Sequence, residues 1–130
     1  MRTYRGLRLA NGSALVQVVE GGDDARALVP TEGARFTWGE SSTGSVALAR
    51  AILVDHLGAL PSRGVAHRFA FLTTAAWTAT RWLLTSSEID LWLVEVRATL
   101  RLSCLLCGDT GRREVMPGLW RRCECRPAEA

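Results

Sequence analysis

Lysine is missing from this chain altogether: all sixteen basic residues among its 130 are arginines. That pattern fits a genome that favours arginine codons, so the arginine total says little by itself and only clustering can argue for a polyanionic partner. Long apolar runs are missing too. The longest uncharged stretch, Phe69 to Thr80, is twelve residues with four threonines, too short and too polar to span a bilayer. The N-terminal MRTYRGLRLANGSALVQVV lacks the unbroken apolar stretch of about 7 residues or more that a secretory signal needs. These absences lead us to expect a cytoplasmic protein with no membrane contact. Histidine is scarce, with only His56 and His67. No nucleophile motif and no usefully spaced pair of glutamates accompanies them, so no catalytic residue is assigned and an enzyme is the minority reading.

What is present is the composition of a folded protein, 48% hydrophobic and 22% charged with four prolines, of a length that suits one domain with a small appendage. Tyr4 to Leu9 and Ala14 to Val19 flank Asn11-Gly12, a pair that tolerates positive φ and predicts an N-terminal β-hairpin. A glycine- and acid-rich turn follows at Gly21 to Asp24, and Ala34 to Trp38 reads as a further short strand. Hydroxyls before VALARAILVDHLG predict a helix from about Ser45 to Leu57, ended by Gly58. Pro61 can open a second helix through the Val65 to Ala79 region. Thr85-Ser86-Ser87-Glu88 matches a capping box, which predicts a third helix to about Leu102. Trp38, Trp77, Trp82 and Trp92 lie in apolar segments and read as core. The expected fold is α+β, a hairpin followed by about three helices, with residues 1–101 as one domain and 102–130 as a four-cysteine zinc module with a short tail.

Tyr4-Arg5-Gly6, Phe36-Thr37-Trp38-Gly39 and Gly44 leading into LARAILVDHLG, with Trp82-Leu83-Leu84-Thr85 and Glu88-Ile89, resemble a family of small uncharacterised bacterial and phage proteins known only as a domain of unknown function. The likeness covers roughly residues 2 to 95. Members typically read Phe-x-Trp-Gly-Tyr-Gly-Gly-x-Gly-Pro in the loop, whereas here Glu40-Ser41-Ser42 replaces Tyr-Gly-Gly and Ser45 replaces the proline. The resemblance brings no activity with it.

The strongest chemical signal is at the other end. Cys104-x2-Cys107 has the spacing that lets a tight knuckle aim two sulfurs at one tetrahedral metal, and after fifteen intervening residues Cys123-x-Cys125 supplies a second pair. The intervening loop can form a two-stranded ribbon turning at Met116-Pro117-Gly118. We expect one structural zinc on Cys104, Cys107, Cys123 and Cys125, in a closed site with no open position for a catalytic water. Zinc with four thiolates carries −2, which would lower the formal charge from +3 to about +1. Cys107-Gly108-Asp109-Thr110-Gly111 with Cys123-Glu124-Cys125-Arg126 is also similar to the cysteine modules of DnaJ-type chaperones and bacterial helicase loaders.

Arg101, Arg112, Arg113, Arg121, Arg122 and Arg126 gather around this module with Trp120, a set that could contact phosphates while the indole stacks on a base. Asp109, Glu114 and Glu124 would offset part of that charge. The expected function is a small zinc-binding accessory or adaptor protein whose partner is a protein or a nucleic acid, with no small-molecule cofactor. The alternatives are a thiol-redox protein using Cys104 and Cys107 and a structural subunit of a larger assembly. Ser41 to Ser45 at a helix start could hold an anion, yet no Gly-Lys-Ser/Thr follows and Glu40 stands beside them, so simple N-capping is preferred. Asp55-His56 are adjacent on a helix and do not face each other, which argues against a dyad. His56 instead suits the helix C-terminus, and His67 has no motif partner.

Overall fold

Strand β1 (Arg2–Arg8) runs into β2 (Ala14–Glu20) as an antiparallel hairpin. Its turn is closed by Leu9 N–H to Ser13 O at 2.8 Å and by Ser13 N–H to the Asn11 side chain at 3.0 Å, with Gly12 at φ 84°. The computed structural model describes residues 2–21, 24–31, 33 and 35–125. A three-residue strand β3 (Ala25–Ala27) extends the sheet beyond β2, so Asp24 ends the expected turn, whose Gly22 and Asp23 lie outside the described residues.

Helix α1 (Thr43–Leu57) starts two residues earlier than expected, because Ser42 is the cap: its hydroxyl accepts from Ser45 N–H at 3.3 Å. Gly58 ends it in the left-handed region, as expected. Leu48, Ala49, Ile52 and Leu53 are fully buried, which puts α1 in the middle of the core. Helix α2 (Arg63–Leu72) is capped by the Ser62 hydroxyl and ends well short of Ala79. Thr73 and Thr74 stop it. Both are fully buried, and their hydroxyls donate to Phe69 O at 2.6 Å and Ser45 O at 2.8 Å, hydrogen bonds that replace the next helical turn.

The chain released by that turn forms a strand the sequence reading did not anticipate, β4 (Arg81–Thr85), antiparallel to β1. Sheet order is β3-β2-β1-β4. Trp82 and Leu84 point into the core, alternating with exposed Arg81 and Leu83. Trp82 lies flat against β1 at Gly6, where an added Cβ would sit 2.3 Å from the indole. Residues 35–38 form no strand, and Ala34 lies outside the described residues. This segment is instead a loop pinned to the core, with the Trp38 indole donating to Ala79 O and Gly39 N–H to Thr74 O, each at 2.8 Å. Gly39 has φ 85°, and a Cβ there would meet Trp77 O at 2.6 Å. Trp38 and Trp82 are buried core residues; Trp77 and Trp92 are half-buried at its margin.

Helix α3 (Ser86–Leu100) carries the expected capping box: Glu88 N–H donates to the Thr85 hydroxyl and Thr85 N–H to the Glu88 carboxylate, both at 3.1 Å. It ends at Arg101 in the left-handed conformation. The three helices cover one face of the sheet, where Tyr4, Val18, Ile52, Phe69, Ile89 and Val96 form one buried cluster. Beyond α3, strands β5 (Arg112–Met116) and β6 (Leu119–Arg122) form a separate two-stranded ribbon. Among the described residues no helix is long and apolar enough to cross a membrane.

Candidate metal centre

The four cysteines converge. Their sulfurs all lie within 4.8 Å of one another, with Cys104 to Cys123 at 3.7 Å and Cys107 to Cys125 at 3.4 Å. Four thiolates around a tetrahedral ion with bonds of about 2.3 Å have sulfurs separated by roughly 3.8 Å, and disulfide sulfurs are separated by only about 2.05 Å. The spacing here is that of ligands sharing a metal, and the donor set fits a soft or borderline cation.

Local structure aims each pair. Cys104 and Cys107 stand on a knuckle closed by Gly108 N–H to Cys104 O at 3.1 Å, and Cys123 N–H donates to Gly111 O at 2.8 Å, bringing the end of β6 to the knuckle. Asp109, held at φ 65°, accepts from Cys104 N–H at 2.8 Å and from Ser103 N–H at 3.0 Å. It braces the loop. Cys107 and Cys123 are buried and Cys125 is exposed. Burial pushes the Cys107 thiol up, but the Gly111 backbone N–H and the neighbouring thiols outweigh it and bring the group down to about 7. Burial pushes Cys123 up, and hydrogen bonding to Cys123, Cys104 and Cys107 pushes Cys125 up. One thiol, Cys107, therefore ionises readily while Cys123 and Cys125 resist doing so, as expected where thiols crowd together and one of them takes the negative charge.

The ribbon does not hang free of the helices. Glu114 of β5 is 1% exposed and accepts from Arg50 of α1 at 2.7 Å, from Arg63 of α2 at 2.9 and 3.1 Å, and from Gly118 N–H at 2.8 Å. The Arg63 guanidinium, chiefly, holds its carboxyl at about 2 against the opposing effect of burial. Ser62 N–H donates to Leu105 O at 2.8 Å, and Leu102 and Leu105 pack on the core. Glu114 thus belongs to the anchor, and the surface arginines lose it as a counter-charge. Sequence reading missed this because Arg50 is 64 positions away.

The arginine cluster is divided. Directly opposite residues of an antiparallel pair share a face, so Arg112 and Arg122 lie on the face of Glu114 and Trp120, and Arg113 with Arg121 on the other. Arg113 is paired with Glu124 at 3.3 Å. Arg112, Arg121 and Arg122 are exposed and have no ion-pair partner among the described residues, and Trp120 is 40% exposed. Arg126 lies outside the described residues, and Arg101 serves as the C-cap of α3. Asp55 and His56 part company: Asp55 accepts from Tyr4 at 2.7 Å and from Arg2 and Arg26, and His56 lies 2.7 Å from Asp90.

One family match bears on these positions, covering residues 4–95. The chain belongs to a family of unknown function, DUF6166. No curated protein and no solved structure matches it. The matched segment of this DUF6166 member holds the sheet apart from Arg2 and Thr3 of β1, and all three helices except the end of α3, and it stops before the first cysteine. Tyr4, Gly6, Trp38, Gly39 and Trp82 have structural roles within it, in the core, at the tight approach to Trp82 and in the pinned loop. The cysteine ribbon lies outside the match and can be interpreted only from its own geometry.

Proposed function

We propose that this protein is a non-enzymatic binding module whose four cysteines hold one structural zinc ion and whose ribbon contacts nucleic acid. The observation that carries the reading is the pair of guanidiniums Arg112 and Arg122 on the ribbon face of the part-exposed Trp120, with Arg121 on the opposite face, none of the three having an ion-pair partner among the described residues. Arg112 stands directly opposite Arg122, a like-charge pairing that costs stability unless an anion lies between them. The −2 charge of a four-thiolate zinc centre would balance part of this from within. Phosphates approaching from outside would balance the remainder, and the indole offers a stacking surface that tolerates any base.

The test is fluorescence anisotropy of labelled single- and double-stranded DNA and RNA against the zinc-loaded protein at two salt concentrations, alongside Arg121→Ala/Arg122→Ala. The reading predicts binding that weakens with salt and in the variant; absence of binding at low salt would overturn it. A protein-adaptor reading has its own support in Leu91 and Val94, 72% and 68% exposed one turn apart on α3. Co-purification of a fixed partner that Leu91→Glu releases would favour it. A redox use of Cys104 and Cys107 is less favoured, because sulfur contacts of 3.7 and 3.4 Å run between the pairs, 104 to 123 and 107 to 125, and draw all four thiols into one cluster.

A further inference from the structure

The helices cover only one face of the sheet, and alternation along the strands puts a second set of side chains on the other. Pairing lines these up in two rows: Gln17, Arg5 and Leu83 across β2, β1 and β4, and Leu15, Leu7 and Arg81 beside them. Together they frame a depression of about 550 Å³ around Gly6. Leu15 and Leu83 are 39% and 63% exposed. Both cations are available. The Arg81 side chain has no partner among the described residues, and Arg5 uses only its Nε, on the Gln17 amide at 3.0 Å. No described residue lining the depression carries a carboxylate.

A surface of opposite character lies on the outside of α3. Ile89, Leu93 and Val96 turn inward, which leaves Leu91, Val94 and Ala98 exposed on one stripe at helical spacing. Glu95 borders that stripe, four residues after Leu91, and has no ion-pair partner among the described residues. Glu88 adds negative charge one turn before Leu91, although one of its oxygens serves the Thr85 cap. Arg97 is two residues from Glu95 and faces another way.

We propose that these surfaces are the two halves of one contact, in which the outer stripe of α3 in one copy of this chain docks on the open sheet face of the next. Leu91 and Val94 lie against Leu15 and Leu83, and Glu95 meets the guanidiniums of Arg5 and Arg81. The fifteen residues of α3 span about 22 Å and the four strands roughly 19 Å, so one helix crosses the face. Like charges oppose the symmetric alternatives, sheet on sheet or α3 on α3, and favour the head-to-tail arrangement. Such a contact leaves a free surface at each end, so copies keep adding unless the rotation closes a ring. One helix on one sheet face buries little area for a specific interface, and the contact is correspondingly weak, with a Kd of about 10–100 μM. It uses none of Arg112, Trp120, Arg121 or Arg122, which keeps it apart from the nucleic-acid reading, and it gives the exposed α3 patch an occupant.

Sedimentation equilibrium of the full zinc-loaded chain from about 10 μM to 1 mM tests this. Leu83→Glu spoils the sheet face and Leu91→Gln/Val94→Gln the α3 stripe, all at exposed positions where substitution costs little stability. The wild-type mass is expected to rise past that of two chains, and each variant alone to stay monomeric. An equimolar mixture of the two variants retains one intact pair of surfaces, so it should assemble and stop at two chains. Arg121→Ala/Arg122→Ala should associate as the wild type does. The proposal is overturned if the wild type never exceeds two chains, if either variant alone associates, if the mixture stays monomeric or grows beyond two chains, or if the ribbon variant loses association.

Discussion

The body formed by the sheet and helices and the cysteine ribbon are held together by different physics. In the body, Tyr4, Leu48, Ile52, Leu53, Phe69, Ile89 and Val96 are fully buried in one cluster. Among the described residues of the ribbon the buried ones are Cys107, Cys123 and Glu114, which give it almost no apolar core of its own. Its order must come from the sulfur cluster and from one carboxylate gripped by two arginines of the body. The body can fold by burial, whereas the ribbon, if its sulfur cluster holds the proposed zinc, depends on that metal and on the anchor.

The largest expected effect follows from removing the metal. Structural zinc in small domains contributes about 10–16 kcal/mol of apparent binding energy at neutral pH, so chelation or Cys107→Ser should abolish the ribbon. Trp120 fluorescence should move to that of exposed indole, while the cooperative melt of the body persists. Joint collapse of both regions would erase the distinction between them. Next comes Glu114→Ala, which takes the shared carboxylate away from Arg50 and Arg63. Breaking a buried ion pair from one side costs roughly 3–5 kcal/mol, measurable by urea unfolding, and hydrogen exchange should rise first in β5 and β6. Acid should act similarly. The Glu114 carboxyl is lowered from 4.5 to about 2 in the folded protein, so its contribution is complete above 4.5 and disappears as pH falls through about 2. Zinc release by thiolate protonation should come earlier on the same titration.

A smaller effect, confined to the body, should follow Gly6→Ala, whose new methyl group would sit 2.3 Å from the Trp82 ring. Overpacking of this kind costs about 1–3 kcal/mol, and thermal melting should show it with metal content unchanged. Smallest is Thr85→Ala, which removes the α3 cap at a cost of about 1 kcal/mol.

Local chemistry made much of this legible beforehand. Asn11-Gly12 marked the hairpin, Thr85 to Glu88 marked the start of α3, and two closely spaced cysteine pairs marked the sulfur cluster. What escaped depends on residues far apart in the chain. β4 is only five residues long and follows a threonine-rich stretch compatible with a helix; it becomes a strand because β1 offers a free edge and Gly6 makes room for Trp82. Glu114 looked like one more surface acid in an arginine-rich ribbon, since nothing in the sequence shows that Arg50 is buried opposite it.

Native mass spectrometry of the purified chain, beside elemental analysis, tests the central claim most directly. One zinc ion per chain, lost in Cys107→Ser and in Cys123→Ser, is the predicted result. A metal-free chain carrying disulfides, with the ribbon intact, would contradict it.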